Sequence, residues 1–218
     1  MEVAIVLPTL NEEKGIAKVL EELNALGKGK WDIFLADGGS TDNTLKIAKE
    51  KKANIISIPE RGKGKAIKQV FQKVDASYLI LMDGDATYPA NAVPNLLDAL
   101  KQCDVAIGSR FKGKIGEGAM SEVNKLGNRG LTLLGNLLYG KQVSDMCSGM
   151  WGFRKKAYKH MDISAKRFEL EANFFIESAK GGFKICEVPI VYKKREGEAK
   201  LRVRDGLAIG YFLLSKRF

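Results

Sequence analysis

Short apolar segments alternate with amphipathic segments through the first half of the chain. The apolar segments predict strands at residues 3–7, 32–36, 54–58, 78–82 and 104–108. Between them, apolar residues at helical spacing predict helices at about residues 12–26, 43–51, 63–73 and 92–101. This alternation is typical of an α/β fold in which helices flank both faces of a mostly parallel, Rossmann-like sheet.

The second half of the chain has a less regular pattern. Residues 112–120 are rich in Gly and Lys and predict a mobile loop, whereas residues 126–139 and 169–179 predict helices and residues 185–192 a late strand. A basic segment at residues 193–204 leads into an apolar stretch, 207–214, that is too short to span a bilayer. Such a tail is expected to dock on the core or to lie in an interface.

The composition is that of one soluble globular domain covering residues 1–218. Of the 218 residues, 45% are hydrophobic, and the mean hydropathy is −0.16. The net charge of +10 indicates an anionic partner: nucleic acid, an acidic membrane surface or a phosphorylated small molecule. The first residues lack a basic leader and a cleavage site, so we expect no signal peptide.

Cysteine and histidine are scarce in this sequence. Cys103, Cys147 and Cys186 are far apart and odd in number, which predicts reduced thiols in a cytoplasmic protein. The single histidine, His160, argues against a zinc centre with His and Cys ligands and against a histidine-based triad. A metal ion would therefore be held by oxygen ligands, which favours Mg²⁺ or Mn²⁺.

Two carboxylates follow the fourth predicted strand. Asp83 and Asp85 are separated by Gly84, and strand geometry places side chains i and i+2 on the same face. The pair can hold one divalent cation, and Gly84 permits a bulky ligand to approach the backbone. The alternative interpretation is a solvated loop after a buried strand, since Asp and Gly are common turn residues.

Polar residues also follow the other predicted strands. They are Pro8, Asn11 and Glu12 after the first strand, residues 37–42 after the second, and Ser109 and Arg110 after the fifth. Ligands of parallel α/β sheets lie beyond the carboxyl ends of the strands, so this convergence predicts a binding site. Residues 61–65 are rich in Gly and Lys but lack the spacing of a P-loop, which leaves a solvated turn as the alternative.

In their order along the chain, these motifs resemble those of family 2 inverting glycosyltransferases with the GT-A fold. The similarity is greatest to dolichol-phosphate mannose synthases and polyprenyl-phosphate glycosyltransferases. The motifs are Pro8-x-x-Asn11-Glu12, Asp37 to Asp42, Gly62-Lys63-Gly64, Asp83-Gly84-Asp85, Gly108-Ser109-Arg110, Asp145-x-x-Ser148-Gly149, Phe168-Glu169, Glu187-Val188-Pro189-Ile190 and Arg195-x-Gly197-Glu198-x-Lys200-Leu201. The resemblance implies a nucleotide-sugar half at about residues 1–110 and an acceptor- and membrane-facing half at about residues 111–218.

The resemblance also implies roles for the matched residues. Asp85, Arg110 and Arg195 would be catalytic, and Asp83 and Asp85 would hold Mg²⁺ or Mn²⁺. The residues implied in substrate binding are Pro8, Asn11, Glu12, Asp37, Lys63, Asp83, Gly84, Arg129, Ser148 and Lys200. The helical stretch 126–139 would meet the lipid acceptor and the membrane.

Three positions depart from the pattern of the family. Gly38 stands where a second Asp is commoner, and Thr87 leaves the third metal ligand open. Asn124 stands where a basic residue is usual, which leaves Lys125 and Arg129 as nearby substitutes.

The expected function is transfer of a mannose- or glucose-type sugar from a GDP- or UDP-linked donor to a polyprenyl phosphate such as dolichyl phosphate, with inversion. The enzyme would be peripheral, on the cytoplasmic face of a membrane. A phosphate acceptor is mostly dianionic at neutral pH and needs no strong base, whereas a soluble hydroxyl acceptor, the alternative, would need Glu169 or Glu171 as the base. Nucleic-acid binding is the remote alternative; no recognition helix or aromatic stacking motif supports it, so no nucleic-acid partner is expected.

Overall fold

The computed structural model describes residues 1–58, 62–166, 168–196 and 203–217, with only the backbone at 203 and 204. Within these residues, seven strands form one sheet in the order β3-β2-β1-β4-β6-β5-β7. The strands are β1 (Val3–Thr9), β2 (Asp32–Asp37), β3 (Asn54–Ser57), β4 (Tyr78–Leu81), β5 (Val105–Ile115), β6 (Trp151–Arg154) and β7 (Ile185–Tyr192). β1 pairs in parallel with β2 and β4, β2 with β3, and β5 with β7. The prediction of a mostly parallel α/β sheet is confirmed.

Helices cover both faces of this sheet. They are α1 (Glu13–Gly27), α2 (Thr44–Glu50), α3 (Lys63–Lys73), α4 (Val93–Leu100), α5 (Glu122–Tyr139), α6 (Lys155–His160), α7 (Leu170–Lys180) and α8 (Val203–Ser215). In β1, Val3, Ile5 and Leu7 pack in a core with α1, α2 and α4, whereas Ala4 and Val6 pack in a second core with α3, α6 and α7. Because each buried aliphatic side chain contributes about 1.5–3 kcal/mol, a strand covered on both faces is apolar at every position.

One antiparallel strand interrupts the parallel order. β6 lies between β4 and β5 and pairs antiparallel with both. Its side chains Trp151 and Phe153 are fully buried in the same core as α3 and α7. Neither β6 nor α6 was predicted from the sequence, because a strand of 4 residues gives too short a pattern to be recognised.

The strand β5 is longer than the sequence predicts. It continues to Ile115 and, after an irregularity between Ser109 and Lys114, pairs again with β7. The backbone of Gly113 lies against the backbone of Ile190, too close for any side chain. The prediction of a mobile loop is therefore wrong for residues 112–115, which belong to β5. Gly113 allows the backbones of β5 and β7 to approach closely.

The structure brings Cys103 and Cys186 together, within reach of a disulfide, whereas the sequence predicts reduced thiols. Cys103 lies just before β5, and Cys186 lies in β7, the parallel neighbour of β5. Their Cα atoms are 6.0 Å apart, a distance that disulfides commonly span. Because 83 residues separate the two cysteines in the sequence, only the strand pairing reveals that they meet. Cys147 is a free cysteine, and burial raises the pKa of its thiol to about 12.

The helix α5 contains the predicted stretch 126–139 and begins earlier. Ser121 caps it, because the backbone N–H of Asn124 donates to Ser121 Oγ at 3.2 Å. α5 packs against α8, and the Tyr139 hydroxyl donates to the carbonyl of Leu213 at 2.8 Å. None of the helices in the described part of the chain is long and apolar enough to cross a membrane.

Candidate active site

The polar residues predicted to converge do lie at one edge of the sheet. Asp37 ends β2, the residues 83–85 follow β4, and Arg110 lies in β5, which runs in the same direction as β4. The start of α1 packs on this edge: a side chain at Gly15 would come within 2.8 Å of the backbone of Asp85. The tight contact fixes the loop that carries the two carboxylates.

Asp85 is buried and has partners at both of its oxygens. Its Oδ1 accepts hydrogen bonds from the backbone N–H of Thr87 at 3.0 Å and from the Thr87 hydroxyl at 2.5 Å. Its Oδ2 lies 2.9 Å from Nη1 of Arg195. Burial, followed by repulsion from Asp83, raises the pKa of Asp85 above its ordinary value, although Arg195 and Thr87 act in the opposite direction. The two carboxylates are therefore close enough to repel each other.

Arg195 connects two ends of the chain across this edge. Besides Asp85, it contacts Glu12: Nη2 donates to Glu12 Oε1 at 2.7 Å. The segment before α8 is held to the same loop by its backbone, since Lys193 N donates to the carbonyl of Thr87 at 2.9 Å. In the described part of the chain, the buried Nε of Arg195 has no hydrogen-bond partner.

Asp83 belongs to a second ion-pair group. Lys63, at the start of α3, donates to Asp83 Oδ1 at 2.9 Å and to Glu171 Oε1 at 2.8 Å. Burial acts to lower the pKa of Lys63, but the two carboxylates outweigh it and raise the pKa above its ordinary value. Glu171, one of the two candidate bases, thus lies beside the Asp83 carboxylate.

The carboxylates Asp83 and Asp85 fit a divalent cation. A Cβ at Gly149 would overlap Asp83 Oδ2, so only a glycine at this position lets the carboxylate keep its place. Carboxylate oxygens are suitable ligands for Mg²⁺ and Mn²⁺, and the repulsion between the two groups would be relieved by a cation. Within the described residues, no group of three or more His, Cys, Asp or Glu residues is arranged to hold a metal.

Asp37 and Asn11 organise the loops beyond β1 and β2. The buried carboxylate of Asp37 accepts from the backbone N–H groups of Gly39 at 2.9 Å and Ser40 at 3.1 Å. Asn11, with a left-handed φ of 54°, accepts from the Thr41 N–H at 2.8 Å. These bonds hold the two loops together. Pro8, half-buried, lies in β1 opposite Ala36 of β2, next to the same loops.

Arg110 is buried and is held on one side by Asp145. Its backbone N–H and Nε donate to Asp145 Oδ2 at 2.8 Å, and Nη2 donates to Oδ1 at 2.7 Å. Burial alone would lower the pKa of Arg110, but Tyr88 and Asp145 raise it well above its ordinary value. The guanidinium also lies over the ring of Tyr192, 5.4 Å from its centroid.

A depression of about 220 Å³ lies between β5 and α5, next to Arg110. Its lining includes three cations, Arg110, Lys125 and Arg129, together with Phe111. The exposed Arg129 lies over the Phe111 ring, 5.0 Å from its centroid. Arg110 and Arg129, both predicted in substrate binding, are thus brought together, and Lys125 joins them.

Other residues implied by the resemblance have internal partners. Ser148 is buried, where its hydroxyl donates to the carbonyl of Gly108 at 2.6 Å and accepts from Met150 N at 3.2 Å. A Cβ added at Gly84 would lie 3.0 Å from Thr9 Cγ2, a tight contact within the chain. Lys200 lies outside the described residues.

Several residues at this edge had no role assigned from the sequence. Asp145 and Gly149 belong to a motif that gave no hint of their contacts with Arg110 and Asp83. Tyr88 accepts from the Gly149 N–H at 2.6 Å, and burial raises the pKa of its hydroxyl well above the ordinary value. The signal available in the sequence was the short spacing between Asp145 and Gly149, which places both in one turn.

Comparison with known proteins agrees with this architecture. Residues 4–162 match the model of glycosyl transferase family 2. The chain is 37% identical over 204 residues to the low-salt glycan biosynthesis hexosyltransferase Agl6 of Haloferax volcanii, covering 91% of this chain and 49% of that protein. It is 32% identical over 211 residues to a dolichyl-phosphate hexose transferase of the same organism, covering 96% of this chain and 91% of that protein. The chain therefore spans about half the length of one relative and nearly all of the other.

The fold also matches a solved structure. Glucosyl-3-phosphoglycerate synthase from Mycobacterium tuberculosis, in complex with Mn²⁺, UDP and glucosyl-3-phosphoglycerate, superposes with a TM-score of 0.78 at 21% identity, covering 99% of this chain and 78% of that one. This likeness confirms the GT-A fold expected from the sequence. Because the family model matches residues 4–162, the chain belongs to glycosyl transferase family 2.

Proposed function

We propose that this chain transfers a hexose of mannose or glucose type from a GDP- or UDP-linked donor to the phosphate of a polyprenyl lipid, with inversion and with the help of Mg²⁺ or Mn²⁺. One observation carries the proposal: the carboxylate pair at the sheet edge lies on the same side of the molecule as a three-cation depression bordered by an exposed apolar helix. The first feature suits a nucleotide sugar, and the second suits an anionic acceptor with a lipid chain.

Asp83 and Asp85 would hold the cation together with the diphosphate of the donor. When bound, the cation would act as a Lewis acid that neutralises charge on the departing nucleoside diphosphate. The loops organised by Asp37 and Asn11, with Glu12 beside them, would border the nucleoside. The Mycobacterium tuberculosis synthase, which was solved with Mn²⁺ and UDP, supports this arrangement by likeness of fold.

Arg110, Lys125 and Arg129 would bind the acceptor phosphate. Arginine binds phosphate oxygens in a bidentate manner, and three cations around one depression suit a dianion. A phosphate monoester with a second pKa near 6 is already charged at neutral pH, so its oxygen can attack without a base. Attack on the anomeric carbon from the side opposite the leaving diphosphate gives the inverted product.

The outer faces of α5 and α8 would contact the lipid and the membrane surface. Leu126 and Leu137 on α5, and Leu207 and Tyr211 on α8, are each 74–77% exposed. Each pair lies on one face of its helix by spacing, and the two helices pack against each other. Apolar side chains flanked by lysines and arginines are typical of segments that lie on an anionic membrane. The relative named as a dolichyl-phosphate hexose transferase supports a lipid acceptor.

A soluble phosphorylated acceptor is the second candidate. The three cations recognise a phosphate whatever it is attached to, and the solved neighbour contains glucosyl-3-phosphoglycerate, the product of a soluble acceptor. A plain hydroxyl acceptor would instead require Glu169 or Glu171 as a base, and the Glu171 carboxylate is engaged by Lys63 at 2.8 Å. The depression lined by three cations favours a phosphate acceptor over a hydroxyl.

A donor screen tests the proposal. GDP-mannose, UDP-glucose and UDP-N-acetylglucosamine would each be offered with Mn²⁺ and either dolichyl phosphate in detergent or phosphoglyceric acid as a soluble phosphorylated acceptor, to wild type, Asp85→Ala and Asp98→Ala. Asp98 is an exposed carboxylate on α4, paired with Lys101, and serves as the matched control. We expect labelled lipid with one donor, lost in Asp85→Ala and retained in Asp98→Ala. Labelled product only with a soluble phosphorylated acceptor would favour the second candidate, and no transfer to any phosphate would contradict both.

A further inference from the structure

A buried carboxylate on β7 organises the surroundings of Arg110. The side chain of Glu187 is 4% exposed. Its Oε1 accepts from the backbone N–H of Ser144 at 2.8 Å, from the Ser144 hydroxyl at 2.7 Å and from the N–H of Asp145 at 3.2 Å. Its Oε2 lies 2.9 Å from Nζ of Lys112. These partners come from two separate segments, so Glu187 joins the 144–145 turn to β5.

The pairing of β5 with β7 explains why Glu187 reaches both segments. Glu187 is in register with Ile107, three positions before Arg110 on the neighbouring strand. Ser109, between them, joins the same network: its Oγ lies 2.7 Å from Ser144 Oγ and accepts from Lys112 N at 3.1 Å. Because the Ser144 hydroxyl donates to Glu187, the Ser109 hydroxyl is left to donate to Ser144. Ser109 therefore donates to Ser144, and Ser144 donates to the buried carboxylate of Glu187.

Asp145 links this network to Arg110. Glu187 holds the backbone of Asp145, and the Asp145 carboxylate accepts three hydrogen bonds from Arg110. These bonds occupy Nε and Nη2, which fixes the plane of the guanidinium and leaves its Nη1 edge away from Asp145. Glu187 does not contact Arg110 itself, so any effect on Arg110 passes through the turn.

The buried carboxylate of Glu187 destabilises the fold unless its hydrogen-bond donors are in position. A buried carboxylate is destabilising without hydrogen bonds and a counter-ion, and Glu187 has four donors. Its removal would leave the two N–H groups of the turn without their acceptor. The turn would then be free to shift, and Asp145 would shift with it.

We propose that Glu187 is a positioning residue for the acceptor phosphate: it fixes the 144–145 turn, so that Asp145 aims Arg110 at the depression shared with Lys125 and Arg129. The assignment of the acceptor rests on the function proposed above, whereas the coupling from Glu187 to Arg110 stands on its own. Lys112 neutralises the buried charge of Glu187 and is not needed to orient the guanidinium of Arg110.

Steady-state kinetics with the 218-residue chain test whether Glu187 affects acceptor binding. In Glu187→Ala, we expect the KM for dolichyl phosphate to rise by about tenfold or more, the range found when a group that orients a ligand-binding residue is lost. The KM for the nucleotide sugar should stay near that of wild type. Glu187→Gln keeps an oxygen for the turn and should restore the acceptor KM, and Lys112→Met should also resemble wild type. Equal increases in both KM values would indicate a general structural role and would overturn the proposal.

A second variant and a spectroscopic measurement keep the test decisive. If Glu187→Ala does not fold, Glu187→Asp keeps the charge but withdraws it from the turn, and it should raise the acceptor KM as well. Hydrogen exchange of the Arg110 Nε–H, followed by NMR and assigned with Arg110→Lys, should be faster in Glu187→Ala or Glu187→Asp than in wild type and Glu187→Gln. Unchanged exchange would refute the coupling. Faster exchange in a protein that transfers no sugar to lipid phosphate would support the coupling while contradicting the proposed acceptor.

Discussion

The guanidinium of Arg195 lies 2.9 Å from Oδ2 of Asp85, while Thr87 occupies Oδ1 of the same carboxylate. A divalent cation at Asp85 must therefore compete with Arg195 for the carboxylate. When a cation displaces it from Asp85, Nη1 of Arg195 could bind a phosphate while Nη2 stays paired with Glu12. The ion pair thus links occupation of the metal site to the position of a predicted catalytic arginine.

Replacing Arg195 is expected to tighten metal binding. In Arg195→Met, Asp85 loses its internal counter-ion, so the affinity for Mn²⁺ should rise by about tenfold, equivalent to about 1.4 kcal/mol. The loss of free Mn²⁺ signal in electron paramagnetic resonance, measured without donor, gives the affinity directly. Lys18→Met is the control, because Lys18 pairs with the neighbouring Glu196 and not with Asp85. An unchanged or weaker Mn²⁺ affinity in Arg195→Met would contradict this competition.

The charge on Asp85 is expected to destabilise the fold. Burial and the neighbouring Asp83 raise the pKa of Asp85. A carboxyl group with a raised pKa in the folded state contributes stability below its ordinary pKa and loses it as the pH rises through the folded value. Asp85→Asn should therefore raise Tm by a few degrees at pH 7, and the difference should shrink as the pH falls toward 4.

Thermal unfolding at both pH values, with and without Mn²⁺, checks this expectation. The metal should stabilise wild type at pH 7 and have little effect on Asp85→Asn, because the variant lacks one ligand. Asp98→Asn, at an exposed position, should match wild type throughout. A lower Tm for Asp85→Asn at pH 7 would show that the ion pair with Arg195 outweighs burial and repulsion.

The polar residues at the sheet edge could be predicted because their position depends only on the sequence directly before them. The apolar run before Asp83 marks a buried strand, and a carboxylate directly after such a strand must lie where the strand emerges. The same argument located Asp37 at the end of β2, whereas Arg110, predicted to follow the fifth strand, lies within the longer β5. The elements with strong periodicity, such as α1 and α3, were located to within a few residues for the same reason.

The partners of these residues were not predictable, because they are distant in sequence. Arg110 meets Asp145 across 35 residues, and Lys63 meets Glu171 across 108. Charge patterns along one helix or strand carry no information on such pairs. The meeting of Cys103 with Cys186 and the insertion of β6 between β4 and β5 depend on the same long-range pairing of strands.

The apolar face of α5 is expected to determine binding to vesicles. Leu126→Glu combined with Leu137→Glu should weaken binding to vesicles containing anionic lipid by about tenfold or more, since burying a leucine side chain is worth about 1.5–3 kcal/mol. Vesicle flotation measures the bound fraction. Leu26→Glu is the matched control, because Leu26 is an exposed leucine on α1. Equal loss in both variants would indicate a general charge effect and not a membrane-facing surface.

The glycine beside Asp83 is expected to be necessary for metal binding. In Gly149→Ala, the new methyl group would occupy the position of Asp83 Oδ2, which must move away. Mn²⁺ affinity should fall by about tenfold or more, the effect typical of a displaced metal ligand. The fold should persist, because the displaced atom is the end of a side chain that is partly exposed.

Gly130→Ala is the control for this substitution. Gly130 lies in α5 with open space where a Cβ would be added, so the same change should leave Mn²⁺ binding intact and stabilise the helix by about 0.5–1 kcal/mol. If Gly149→Ala bound Mn²⁺ as well as Gly130→Ala, Asp83 Oδ2 could not be a ligand of the cation. Asp85 would then have to hold the cation with Asp83 Oδ1, which requires Lys63 to leave its ion pair.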